Sequence, residues 1–297
     1  MNPMNLAWIN RSAILFALCL AFTISAARGD SPAMWRITDK DSEIWLFGTV
    51  HLLPPDIRWR TKRFDKAFAA ADTVILEINI NPDDSDRIRA LSLQLGHNAN
   101  FATLSSILGP GDTARVARAA SKIGIDPSTL EPLRPWLAAV QLSLLHIARQ
   151  GFDPASGVDA VIANSAAAAG KRLAYFETIE DQFRVFASLS AKAETAFLMA
   201  SVDQIEHDPG TLNQLVQAWV SGDTSSFDKQ FKALRGTSLP DLHEALFVRR
   251  NKAWVAQIAH VMKGAGKALV AVGAGHLPGP QGVVSLLRAR GFKVKRL

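Results

Sequence analysis

Residues 44–54 read IWLFGTVHLLP, and residues 268–280 read ALVAVGAGHLPGP. Each is an apolar run that ends in Gly-x-x-His-Leu with a proline close behind. The runs are short and rich in Val, Ile, Leu and Phe, which suits buried strands. Glycine lets the backbone turn sharply and approach a ligand closely. The histidine three residues later is delivered just past a strand end, where open α/β sheets place their functional crevice. If the two strands are neighbours in one sheet, His51 and His276 converge although most of the chain lies between them.

Working outward from the first copy, MWRITDKDSEIWLFGTV (residues 34–50) predicts a β-hairpin turning at Asp39-Lys40-Asp41. DIRWRTKRFDKAFAAAD has helical character, and TVILEINI is a short β-branched run expected as a buried strand. The middle of the chain predicts helices over 83–95, 112–122, 132–150 and 157–169, and further helices between 180 and 263. The strand KRLAYFET interrupts them. Residues 135–148, PWLAAVQLSLLHIA, are apolar on nearly every side and predict a helix buried between layers, with His146 as a core histidine. The end returns to strand KALVAVG, helix QGVVSLLRAR stopped by Gly291, and strand FKVKRL. The expected fold is α/β: a central mixed sheet flanked by helices, with strands from both ends of the sequence and a large helical insertion from its middle.

A chain of 297 residues with 48% hydrophobic content has ample material for a core. Residues 1–27 read as a secretory signal peptide, with Arg11 ahead of an apolar stretch from Ala13 to Ile24 and small residues at Ser25 and Ala27. That stretch is shorter than the ~20 residues a spanning helix needs. A 28–297 chain in the periplasm or outside the cell, without a membrane span, is therefore expected. The sole cysteine, Cys19, falls within the leader, so the mature chain excludes thiolate metal sites and cysteine nucleophiles. The net charge of +6 is spread among acidic residues, as in RWRTKRFDKAF, and no basic block marks a nucleic-acid site.

Two carboxylates strengthen the histidine pair. Glu77 closes the apolar run VILE, and Glu177 closes LAYFE. A carboxylate in a buried strand has to be paired, hydrogen-bonded, metal-bound or protonated. Two imidazoles with one or two carboxylates at strand ends compose a donor set for a divalent ion of hard to borderline character. In HEALFVRRNKAWVAQIAH, helical spacing puts His243, Phe247, Arg250 and Trp254 on one face, and an arginine in such a stripe calls for a planar anionic partner. HEALF lacks the second histidine of a zinc-protease motif, and neither a P-loop nor a Gly-x-Ser-x-Gly elbow is present.

These residues resemble the TraB/GumN family, which includes the Tiki-type proteases. The likeness runs over roughly residues 34–297 and rests on WLFGTVHLLP, VILEI, RPWLAA, GVDAVI, FETIEDQ, RRNKAW and VGAGHLPGPQGVVSLLRARGFKV. It implies a metal-dependent hydrolytic site with His51, Glu77 and His276 as ligands to Mn, Co or Zn, and Glu177, Arg250 and Asn251 beside them. On that reading Glu177 or a neighbouring carboxylate handles a proton, Arg250 and Asn251 hold an oxyanion if they face the cleft, and a peptide or ester bond is cleaved in a peptide or small-molecule substrate. The alternative is a non-catalytic envelope protein that binds haem or a polysaccharide-assembly partner.

Overall fold

The computed structural model of the protein describes residues 31–79, 84–207, 210–229 and 240–297. The leader, and Asp83 at the start of one expected helix, lie outside the described residues. Strands β1 (Met34–Thr38) and β2 (Ser42–Thr49) form the expected hairpin. Its turn is held by Asp39, whose carboxylate accepts the Ser42 N–H at 2.8 Å. Helix α1 (Lys62–Ala70) begins later than the sequence pattern suggests, because Thr61 caps it by accepting the Phe64 N–H. Strand β3 (Thr73–Ile78) follows, then the helices α2 (Ser85–Gly96), α3 (Leu104–Ile107), α4 (Pro110–Lys122), α5 (Pro135–Arg149) and α6 (Val158–Ala168). After β4 (Arg172–Glu177) come α7 (Ile179–Ala187), α8 (Ala191–His207) and α9 (Thr211–Val220). The chain then forms α10 (Pro240–His243), a π-turn over Glu244–Val248, α11 (Arg249–Val261), β5 (Gly266–Gly273), α12 (Val283–Ala289) and β6 (Val294–Arg296).

The six strands make one mixed sheet in the order β4-β3-β5-β2-β1-β6. The first four run parallel, so their carboxyl ends share one edge, and β1 and β6 add antiparallel strands. The two Gly-x-x-His strands are direct neighbours, with Thr49 opposite Gly273. Alternation sorts their side chains to two covered faces. Trp45, Phe47, Val74, Leu76, Leu269 and Ala271 pack under α1, α6 and α9. Ile44, Leu46, Ile75, Val270 and Val272 pack under α11 and α12. A third apolar cluster, centred on α5 and α8, belongs to the helical insertion.

Helix α5 is buried along most of its length, as its composition demands. His146 departs from the expectation of a core residue: it is half-buried near the end of the helix, with Nε2 2.9 Å from the Gln150 amide nitrogen. Among the described residues no single helix is long and apolar enough to cross a membrane.

Candidate active site

Glu77 leaves β3 on the same face as Ile75 and lies beneath α11. Arg250, in the first turn of α11, reaches it from above: Nη2 donates to Glu77 Oε2 at 2.7 Å. The other carboxylate oxygen accepts the Gly273 N–H at 2.7 Å. The remaining donors of Arg250 are also engaged. Nε goes to Glu177 at 2.9 Å, Nη2 also reaches Glu177 at 2.9 Å, and Nη1 reaches the Leu246 carbonyl and His276 Nε2, each at 3.1 Å. Each N–H of the guanidinium therefore has an acceptor, so Arg250 braces two strand-end carboxylates and has no donor left over for an oxyanion. Glu177 in turn accepts the Trp254 indole N–H at 2.8 Å. With that indole and Arg250 both donating to it, Glu177 serves as an anchor for Arg250.

His276 sits in a short 3-10 turn just past β5. Its Nδ1 is 2.6 Å from Asn251 Oδ1, and the Asn251 amide nitrogen donates to the Gln281 carbonyl at 2.9 Å. Because Nε2 accepts from Arg250, the hydrogen-bond network assigns the ring proton to Nδ1. Asn251 therefore orients His276 and does not point a donor at a reacting centre. The stripe inferred along this helix packs on the same imidazole, with ring centroids of Phe247 and Trp254 at 4.9 and 4.4 Å. The π-turn that precedes α11 had no sequence signal, since it breaks the regular helical repeat from which the stripe was read.

His51 follows β2 by two residues, and its Nδ1 is 3.1 Å from Asp159 Oδ1. Asp159 was missed as a site residue. Its placement follows from Gly157: a Cβ there would stand 2.2 Å from the His51 carbonyl oxygen, so only glycine lets α6 start against the histidine turn. The Val158 N–H then donates to the Val50 carbonyl at 2.9 Å, locking the contact. Gly48 has a parallel role, since a Cβ on it would meet the Ala274 Cα at 2.9 Å.

The charges follow from these contacts. Burial opposes ionisation of Glu77, yet Arg250, the histidines and the Gly273 N–H together hold its pKa at about 2. Burial and the nearby Arg250 depress His276 to about 3 against the pull of Glu77, so it is neutral. Burial also disfavours the charged form of His51, but Asp159, with Glu77 behind it, prevails and raises it to about 9.

Six of the sequence-predicted residues thus meet in one buried cluster. Its centre is a hollow over Gly273, where an added Cβ would lie 3.2 Å from Glu77 Oε1, 3.5 Å from His276 Cδ2 and 3.6 Å from His51 Nε2. Both imidazoles are held at Nδ1, by Asp159 and Asn251, and have their Nε2 edge on the side of this hollow; such contacts fix the ring orientation of a histidine that ligates through its other nitrogen. The donor types suit a divalent ion, but holding one would require His51 to lose the proton that Asp159 favours, Arg250 to leave His276 Nε2, and the three side chains to draw closer together. Among the described residues, the three side chains whose ligand atoms do lie within 4.8 Å of one another are Asp203, Glu206 and His207, on the surface of α8, where Arg115 already bridges the two carboxylates.

Comparisons with known proteins extend over nearly the whole chain. An uncharacterized protein of Treponema pallidum (strain Nichols) is 22% identical over 312 residues, covering 94% of this chain and 91% of its own. No solved structure matches. The profile of the TraB/PrgY/gumN family matches residues 33–296. The chain belongs to the TraB/PrgY/gumN family.

Proposed function

We propose that the protein is an exported, metal-dependent hydrolase of the Tiki-like kind, acting on a peptide or ester bond. The observation that carries this reading is the hollow over Gly273, which Glu77, His276 and His51 face together. His51, Glu77 and His276 would hold the ion. When bound, it supplies a Lewis acid and lowers the pKa of its water towards about 7. The chain's own contribution is preorganisation. Arg250 and the Gly273 N–H keep Glu77 ionised, Asn251 keeps the His276 ring in one orientation, and Asp159 does the same for His51.

The test is metal analysis of the purified protein with a panel of peptide and ester substrates. Chelation is expected to abolish hydrolysis, Mn²⁺, Co²⁺ or Zn²⁺ to restore it, and Glu77→Gln to stay silent in excess metal. Hydrolysis that survives exhaustive chelation would move the chemistry to a second reading, in which the Asp159–His51 pair shuttles protons for a water without an ion. That reading is favoured by the contact of Arg250 with His276 Nε2, which ion binding would have to exchange. A Soret band on haem addition, or capture of an envelope partner, with no turnover on any substrate would support a binding protein instead. Export is tested by mass spectrometry of the mature N-terminus, expected just after Ala27; an intact Met1 on a cytosolic protein would refute it.

A further inference from the structure

Helix α7 buries Ile179, Gln182, Phe183 and Phe186, the spacing of one inward-facing helical stripe. The three apolar members join the core cluster of the helical insertion. Gln182 is the exception, an amide that is 1% exposed. Its Nε2 donates to Glu77 Oε2 and to Glu177 Oε2, at 3.4 Å each, and its Oε1 has no hydrogen-bond partner among the described residues. Ionised carboxylates only accept, so the amide turns its nitrogen towards them and its oxygen away. Two long hydrogen bonds and an unpaired buried acceptor add little stability at a position where a methionine or leucine would complete the stripe.

The placement of the amide is set locally. Thr178 directly follows Glu177 and caps α7 in a reciprocal pair with Asp181, whose carboxylate accepts the Thr178 N–H at 2.9 Å. The start of α7 is thereby fixed against the end of β4. Gln182 then meets the two carboxylates from α7, while Arg250 meets the same two Oε2 atoms from α11. Glu77 Oε1 is left to the Gly273 N–H and the hollow. Arg250 also donates to His276 Nε2, a contact that an ion on His276 would displace. We propose that Gln182 is a positioning residue: it holds Glu77 Oε2 independently of Arg250, so that Oε1 stays aimed at the hollow when the guanidinium shifts off His276. The purpose of this hold rests on the metal-hydrolase reading, but the hold itself is a property of the metal-free chain.

The experiment compares Gln182→Met and Gln182→Leu with the wild type in the whole chain, using the Gly273 amide as reporter because its N–H donates to Glu77 Oε1. In NMR spectra of the metal-free protein, the Gly273 amide proton is expected to move upfield and to exchange about tenfold faster in both variants, while the melting temperature stays level or rises. A residue that merely filled space would leave that amide unmoved. With Mn²⁺ or Zn²⁺ added, ion affinity should fall by about tenfold, and kcat should fall with KM little changed. An unchanged Gly273 amide in the folded variants would overturn the proposal, and so would wild-type ion affinity and kcat in them. If the wild type takes up no ion and cleaves no substrate while the Gly273 amide still responds, the hydrolase reading fails and the hold of Gln182 on Glu77 stands.

Discussion

Arg250 and Glu77 are 173 residues apart in sequence and joined by a 2.7 Å hydrogen bond in which both side chains are 5% exposed. A buried charge that loses its partner costs about 3–5 kcal/mol, whereas replacing the whole pair is far milder. Arg250→Met should therefore lower unfolding stability by that amount, and Arg250→Met with Glu77→Gln should recover a substantial part of it. Urea unfolding of the double-mutant cycle measures this. Additive losses would mean that the two residues are not coupled through this bond.

Stability should peak near the ordinary histidine pKa of 6.5. His51 is raised to about 9, so its contribution is complete below pH 6.5 and is lost as pH rises through 9. His276 is depressed to about 3, and its contribution, present above pH 6.5, is lost as pH falls towards 3. Glu77, depressed from 4.5 to about 2, adds a further loss on the acid side below pH 4.5. Urea midpoints taken across pH should show both limbs. Asp159→Asn should flatten the alkaline limb and bring His51 down towards 6.5 in an NMR titration. An unchanged His51 titration would remove Asp159 from the account.

Gly157→Ala should displace His51 without touching it chemically. The new methyl would lie 2.2 Å from the His51 carbonyl oxygen and 2.9 Å from that of Pro154, and backbone atoms have little room to yield. A destabilisation of about 1–3 kcal/mol is expected for such overpacking. On the hydrolase reading it comes with a fall in kcat out of proportion to the stability loss. Thermal unfolding and single-turnover rates on the same preparation separate the two effects.

Gly273→Ala is the sharper probe of the hollow. Its methyl meets Glu77, His276 and His51 at 3.2–3.6 Å, tight but without a severe clash, and the backbone there is not left-handed. The protein should fold with a melting temperature within a few degrees of wild type, while on the metal-hydrolase reading metal uptake and turnover fall at least tenfold. Full metal stoichiometry in the folded variant would place any ion elsewhere.

Much of this fold was legible in the sequence because its signals are local. Apolar runs of strand length, the Asp39 turn and the glycine stops each depend on residues close in the chain. The repeated Gly-x-x-His ending announced two equivalent strand ends, and charge in an apolar strand singled out Glu77 and Glu177. The aromatic stripe with Arg250 in it was readable from helical spacing, and the structure lays that stripe on His276.

What each polar group does was decided only by the tertiary structure. Oxygens and nitrogens from at least six segments compete for the same few hydrogen bonds, and no segment records the outcome by itself. Arg250 could be predicted to seek a carboxylate, but not to commit each of its N–H groups, which removes it from oxyanion binding. Asn251 likewise spends its amide on His276 and Gln281. Asp159 carried no signal as a partner of His51, because the contact requires α6 to start against a turn more than a hundred residues earlier, at a distance only Gly157 permits. The chain's local chemistry chose which residues reach the strand ends; close packing of distant segments chose their partners, and with them their charges.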